Sequence, residues 1–177
     1  MANSEAVEIG PGLLYVAPYG TPEPDDADDT LDAAFRAVGY TEDGSTFEYE
    51  ITNEAIEVAE EFDPVKYATT GRRASITFQM AEITRQNLAL AMNAGADAAE
   101  TGDLEPPEPG EEERITIVWD SADADEPERW VLRKCLQAGT VSIRRQKSPN
   151  KTLIPVTFRL EKPTGQAPFV ILGATGS

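Results

Sequence analysis

One stretch, Thr69 to Gly95, changes its hydrophobic period partway along, and that change constrains the fold more than any other feature. From Arg73 to Met80 the residues alternate. Ala74, Ile76, Phe78 and Met80 fall on one face, and Arg73, Ser75, Thr77 and Gln79 fall on the other. This is the pattern of a strand with one buried face. At Thr84 the period lengthens. Leu88, Ala91 and Met92 make an apolar stripe at helical spacing, Thr84 is a capping residue, and Ile83 can staple onto Leu88. Gly95 stands where such a helix stops. The spacing therefore predicts a long strand running into a short helix over about residues 84–94, which gives a sheet something to bury its apolar face against.

The rest of the chain reads mostly as strands. Leu13 to Ala17 is a short apolar strand. Leu31, Ala34, Phe35 and Val38 have helical spacing closed by Gly39, which predicts a short helix or turn. Residues 46–51 alternate, with Phe47, Tyr49 and Ile51 directed to the core and Thr46, Glu48 and Glu50 to the other face. Residues 52–71 hold no firm period after Val58 and contain Pro64, so they are expected to form a long loop between two strands. ERITIVWD, RWVLRKCLQ and PFVILG are apolar enough for strands. Residues 141–160 read as a hairpin around KSPNK, with Pro155 placing the second arm at an edge or a bulge. The expectation is a mainly β single domain over residues 1–177, a β-sandwich or partly open β-barrel with one flanking short helix. Long loops are expected at about 18–30, 52–71 and 96–113.

Composition narrows the chemistry. The chain has no histidine and a single cysteine, Cys135. Ser-His-Asp and Cys-His catalysis, histidine-based zinc sites and an intrachain disulfide are thereby excluded. No phosphate-cradling glycine loop is present, and no apolar run approaches the roughly 20 residues that cross a bilayer. The N-terminus lacks the basic and apolar regions of a secretory signal, so folding in the cytoplasm is expected. The Asn150–Thr152 sequon is then fortuitous. Two acidic clusters, Asp25, Asp26, Asp28 and Asp29 and then Asp120, Asp123 and Asp125, lack the glycine and distal glutamate of a calcium loop. No metal or cofactor is expected. An Asp/Glu pair in a small β-barrel hydrolase is the enzymatic alternative, but with so many acids no particular pair stands out.

Charge is distributed unevenly. The net charge is −17; residues 1–63 hold 17 acidic residues against Arg36 alone, whereas 129–162 hold nine basic residues against Glu161 alone. Such segregation either marks solvated faces or matches copies of the chain head to tail, a contact that builds rings or filaments. Arg144, Arg145, Lys147 and Lys151 surround a turn. On so acidic a chain they point to a protein contact rather than to nucleic acid.

The order of these pieces resembles a known family. A short apolar strand is followed by FRAVGYTEDG at 35–44, Glu48-Tyr49-Glu50, Pro64-Val65, Thr70-Gly71-Arg72, SITFQMAEIT at 75–84 and NLALAMNAG at 87–95. This resembles the major tail tube protein of long-tailed (siphovirus-type) bacteriophages, particularly those of actinobacterial hosts. The resemblance covers roughly residues 10–95 and 139–161; residues 97–135 depart into acidic loops. It implies a phage tail tube fold and a non-catalytic virion tail protein, assembled in the host cytoplasm. Hexameric rings would join their inner sheets and stack into a hollow tube around a tape measure protein, between tail terminator and distal tail proteins. DNA would pass through without specific binding, and no membrane is involved. In that setting Glu48, Glu50, Ser75, Thr77 and Gln79 are expected to line the lumen. Glu54, Glu57, Glu60, Glu61, Asp63, Pro64 and Lys66 are expected to reach a neighbouring ring, and Arg144, Arg145, Lys147 and Lys151 to contact a neighbouring subunit. The alternatives are a tail terminator or head–tail joining ring, or a tube subunit of a contractile tail or secretion system.

Overall fold

The structure is a computed structural model that describes residues 12–59, 61–121, 127–145, 147 and 149–173. Eight strands and one helix succeed one another: β1 (Leu13–Pro18), β2 (Arg36–Ala37), β3 (Thr41–Ile56), β4 (Lys66–Met80), α1 (Arg85–Ala91), β5 (Ile115–Asp120), β6 (Glu128–Gln137), β7 (Ile154–Leu160) and β8 (Phe169–Gly173). They form one antiparallel sheet in the order β2-β1-β5-β6-β7-β4-β3, with β8 paired to β6 off that path. The mainly β fold with a single short helix is the one expected, and the sheet is not closed.

Strand β6 is where the sheet divides. β5 lies along one of its edges. On the other edge, Glu128–Leu132 pair with β8 and Cys135–Gln137 pair with β7. The branch β7-β4-β3 curls back over the core, so that Phe47 of β3 meets Trp130 of β6 and Phe169 of β8 edge-on, with ring centroids 5.0 and 5.2 Å apart. Trp119 and Tyr49 extend this aromatic cluster. Aromatic packing thus joins two parts of the curled sheet where no ladder of hydrogen bonds does.

The interior follows from the alternation. Ala74, Ile76, Phe78 and Met80 of β4 and Ile154, Val156 and Phe158 of β7 are all buried, together with Val16, Ile117 and Leu132. The helix packs on this core through Ala89, Leu90 and Ala91. Thr84 caps it, its Oγ1 accepting from the backbone N–H of Asn87 at 3.1 Å. At the other end Asn93 has a φ of 59°, a left-handed conformation that asparagine tolerates. Its side chain latches onto the end of β6: Nδ2 donates to the Gln137 carbonyl at 2.9 Å, and Oδ1 accepts from the Gln137 N–H at 2.8 Å.

Four expectations are corrected or narrowed. Residues 52–71 are not a long loop, because β3 runs on to Ile56 and β4 begins at Lys66, leaving only 57–65 between them. The extra ladder is a two-stranded arm beyond the sheet body. With water on both faces, nothing there imposes an apolar/polar alternation. Of the short helix or turn expected over residues 31–38, the turn is what forms, and it leads into the short β2, whose pairing with β1 satisfies backbone groups that a helix would have satisfied internally. Residues 141–145 are not the first arm of a hairpin: they form no strand, and β7 is laddered to β4 along Ile154–Arg159 and to β6 along Phe158–Leu160. Of Phe47, Tyr49 and Ile51, only Phe47 packs on the core; Tyr49 and Ile51 are 42% and 49% exposed, because the arm has by then left the body. Pro155 sits opposite Gln79 of β4 at a position where β6 has already ended, so β7 has an open edge there.

Candidate assembly surfaces

The face of the sheet turned away from the core is laid out in rows. Register pairs Glu50 with Arg73, aligns Glu48 with Ser75 and Arg159, aligns Thr46 with Thr77 and Thr157, and aligns Glu42 with Gln79 and Pro155. The residues expected on one face, Glu48, Glu50, Ser75, Thr77 and Gln79, do share it. Thr77 and Thr157 hydroxyls lie 3.1 Å apart across the ladder. Arg73 approaches Glu50 at 3.8 Å, with both side chains largely in water. This surface is therefore mixed in charge. Acids sit along β3, and Arg73 and Arg159 stand on β4 and β7, a placement that only the strand pairing reveals. A cleft of about 930 Å³ lies along Glu48, Glu50, Arg73, Ser75 and Arg159.

The β3–β4 arm is the second surface. From Lys66 to Ala74, β4 pairs only with β3, because β7 reaches no further than Ser75. Glu54 and Lys66, expected in a loop, are strand residues near its end. Glu57, Glu61, Asp63 and Pro64 belong to the connection, and Glu60 lies outside the described residues. The arm also exposes Ile56, Val65 and Tyr67, at 46%, 60% and 66%, and Phe62 is fully in solvent. These apolar side chains lie on both faces of a projecting two-stranded arm and stand in solvent. Open strand edges on this side of the sheet include all of β3 on its outer side and the first half of β4.

The basic residues separate into two groups. Lys151 is paired within the chain, its Nζ donating to Glu42 at 2.5 Å, and it borders Gln79 and Arg144 in a shallow recess of about 290 Å³. Two of the expected inter-subunit contacts thus adjoin the face expected to line the lumen. Arg144, Arg145 and Lys147 are exposed and form no ion pair among the described residues.

Other cations are spent on holding the acidic first third of the chain, a role the sequence pattern did not disclose. Arg129 is buried; Nε and Nη2 donate to the Asp120 carboxylate at 2.5 and 3.1 Å, while Nη1 donates to the carbonyls of Asp26 and Asp29 at 3.2 and 2.8 Å. Arg133 donates through Nε to Glu23 at 2.9 Å and through Nη1 to the Ala167 carbonyl at 2.9 Å. Glu161 lies between Lys134 and Arg114, at 2.8 and 3.2 Å, and these two cations hold its carboxyl below the ordinary value, Lys134 contributing most. The opposite charges that are segregated along the sequence are in part matched inside one subunit. Asp25, Asp26 and Asp29 cap their own turn, the Asp29 carboxylate accepting from the N–H groups of Asp25 and Asp26. Asp120 is taken by Arg129, and Asp123 and Asp125 lie outside the described residues.

Asn87 forms a small polar knot at the helix. Its Nδ2 donates to the carbonyls of Val38 and Glu82 at 2.9 and 3.0 Å, and its Oδ1 accepts from Arg36 Nη1 at 3.1 Å. Arg36 Nε donates to the Ala96 carbonyl at 2.8 Å, and its Nη2 is buried without a partner among the described residues. Burial lowers the Arg36 pKa. These contacts stay within the subunit.

Comparison with known proteins agrees with this picture. A family model described as phage tail tube protein matches residues 1–172. Among curated proteins, none matches the sequence. A chain in the 6-fold symmetrised cryo-EM structure of the anti-feeding prophage baseplate is similar in fold, with a TM-score of 0.52 at 11% identity over 99% of this chain and 100% of that one.

Proposed function

The chain belongs to the phage tail tube protein family, and from that premise we propose that it polymerises into the stacked hexameric rings of a hollow tail tube, without catalytic activity. Membership makes it a structural component of the virion tail. The hexamer, the stacking, the siphovirus-type tail and the passage of DNA through the lumen are our reading. The observation that carries it is the pair of open strand edges together with the projecting β3–β4 arm. Continuing the sheet from copy to copy removes those edges, and closing it into a barrel removes them all. The symmetry of the baseplate that holds the similar chain accords with a ring of this order.

On this reading the polar rows of β3, β4 and β7 face the channel: from Thr46 to Glu48 the core occupies the opposite face, and Glu50 and Arg73 continue the same surface onto the arm. Glu48 and Glu50 repeat around the ring as acidic bands, moderated by Arg73 and Arg159. DNA passing such a surface gains no net release of counter-ions and slides rather than binds. The tape measure protein fills the channel before DNA does, and terminator and distal proteins cap the ends. Assembly takes place in the host cytoplasm.

Negative-stain microscopy of the purified protein over a range of concentrations tests the proposal. Hollow tubes built of hexameric rings are expected. Single rings that never stack would instead make the chain a terminator or joining protein, and a monomer at every concentration would refute self-assembly.

A further inference from the structure

The arm leaves the body beside a groove, and the groove and the arm's own tip are chemically complementary. The groove has a volume of about 670 Å³ and opens where β4 loses its pairing with β7. Tyr49, Leu160, Pro168 and Phe169 form its apolar floor, and Arg72 and Lys162 stand at its rim. Tyr49 and Phe169 pack edge to face with centroids 5.5 Å apart, so this part of the floor is a fixed aromatic wall. Neither Arg72 nor Lys162 has an ion pair among the described residues. The tip carries the inverse pattern: Phe62, fully exposed, stands between Glu61 and Asp63.

We propose that Phe62 of one copy of this chain inserts into this groove of a second copy, with Glu61 and Asp63 meeting Arg72 and Lys162. This rests on the tube reading above and names the surface on which the arm docks. The contact cannot form within one chain. Between the Tyr49–Ala74 pair at the groove and the Ile56–Lys66 pair near the tip, the ladder spans seven residues, roughly 23 Å at about 3.3 Å per residue. A paired two-stranded arm of that length does not fold back on its own base. Tip and groove are different surfaces, so the contact is heterologous: each copy offers a free tip at one end and a free groove at the other. A contact of this type repeats without limit along an axis, which is what stacking requires. Phe62 is the anchor, an aromatic entering an apolar pocket, and the ion pairs at the rim set its register.

The test compares tube formation by wild-type protein with that of Phe62→Ala, of Glu61→Lys with Asp63→Lys, of Arg72→Glu with Lys162→Glu, and of all four charge reversals combined. The altered residues are exposed or at a rim, and urea unfolding of each unassembled variant verifies that the subunit still folds. Rings are expected to persist in every case. Loss of an interface anchor is expected to raise the concentration needed for tubes about tenfold or more for Phe62→Ala. Each double charge reversal should also raise it, and the combination should bring it back toward wild type. A second arm of the experiment pairs Phe62→Cys with Gln166→Cys, which lies at the groove; oxidation of assembled protein should give a ladder of cross-linked copies. Phe62→Ala tubes at the wild-type threshold, or no cross-linking in assembled tubes, would overturn the tip-in-groove contact and leave the tube reading intact. Failure of the combined reversal to restore assembly would overturn the charge pairing. Absence of any ring or tube from wild-type protein would overturn the reading on which the contact rests.

Discussion

Replacing Asn87 with leucine tests the polar knot that joins the helix to the sheet. Leucine keeps the branched skeleton of asparagine with bulkier methyl groups, so the change removes hydrogen bonds and opens no space. Two carbonyls, those of Val38 and Glu82, lose their Nδ2 donor, and Arg36 Nη1 loses an acceptor while Nη2 of the same guanidinium already lacks one. A buried group left unsatisfied costs about 1–3 kcal/mol. Val38 is 1% exposed and Asn87 itself 1%, so water does not readily substitute. The expected destabilisation is about 3–5 kcal/mol, a large share of the roughly 5–15 kcal/mol by which domains are stable. With a urea dependence near 2 kcal/mol/M, the unfolding midpoint should fall by about 1.5–2.5 M. The measurement uses dilute subunits, because assembly would stabilise the fold by mass action. Asn87→Asp is the informative companion. It keeps an acceptor for Arg36, and adds a countercharge, but supplies no donor to the two carbonyls. If the donors matter most, it should be destabilised nearly as much as Asn87→Leu; if Arg36 matters most, it should approach wild type. An Asn87→Leu subunit within about 1 kcal/mol of wild type would refute the reasoning.

Two further outcomes follow from the charges. Glu161 has a carboxyl pKa held below its ordinary 4.5 by Lys134 and then Arg114, so its stabilising contribution is complete above that value and is lost as pH falls through the lowered one. Glu161→Gln should cost only about 0.5–1 kcal/mol at pH 7, because its side chain is 34% exposed, and should flatten the acid limb of a stability–pH curve; an unchanged acid limb would count against it. Glu48→Lys with Glu50→Lys should leave the urea midpoint of the subunit unchanged, since both side chains stand in water and the Glu50–Arg73 pair is largely exposed, but tubes of the variant should retain or slow DNA on ejection. Normal ejection would place these residues away from the channel.

The parts of the fold that were legible in the sequence are those with one dry face. Ala74 to Met80 alternates because every second residue is buried, and Ile154 to Leu160 does so for the same reason. The helix was legible from its cap, but its stripe was not: of Leu88, Ala91 and Met92 only Ala91 is buried and Met92 is exposed, while Asn87, Ala89 and Leu90 turn inward. The β3–β4 arm was not, because a ladder wet on both sides is held by backbone hydrogen bonds that any polar residue can make. Nor was β2, whose two residues offer no period. The polar face was legible as a set of side chains, but its mixed charge was not, since Arg159 joins Glu48 only through the register of β7 on β4 on β3. The tethers Arg133–Glu23 and Arg129–Asp29 span 110 and 100 residues of sequence, and no local pattern marks such partners.

A subunit that is to polymerise on the proposed reading must keep an open edge and yet not aggregate by that edge in the wrong way. The chain meets this conflict with charge and with a bulge. β3 carries Glu42, Glu48, Glu50 and Glu54 along its length, so two copies that meet β3 to β3 bring acids against acids, and a net charge of −17 adds general repulsion. Near its start Asp43 and Gly44 both have positive φ, at 58° and 73°, and the register slips between Glu42 and Ser45, which breaks the edge ladder where another strand would otherwise align. The surfaces able to satisfy such an edge are those with unpaired cations, and the subunit exposes Arg72, Arg144, Arg145, Lys147, Arg159 and Lys162, which have no ion pair among the described residues. Like meeting like is penalised and acid meeting base is favoured. The same segregation of charge that keeps free subunits apart therefore selects, among all possible contacts, the heterologous ones that a growing tube needs.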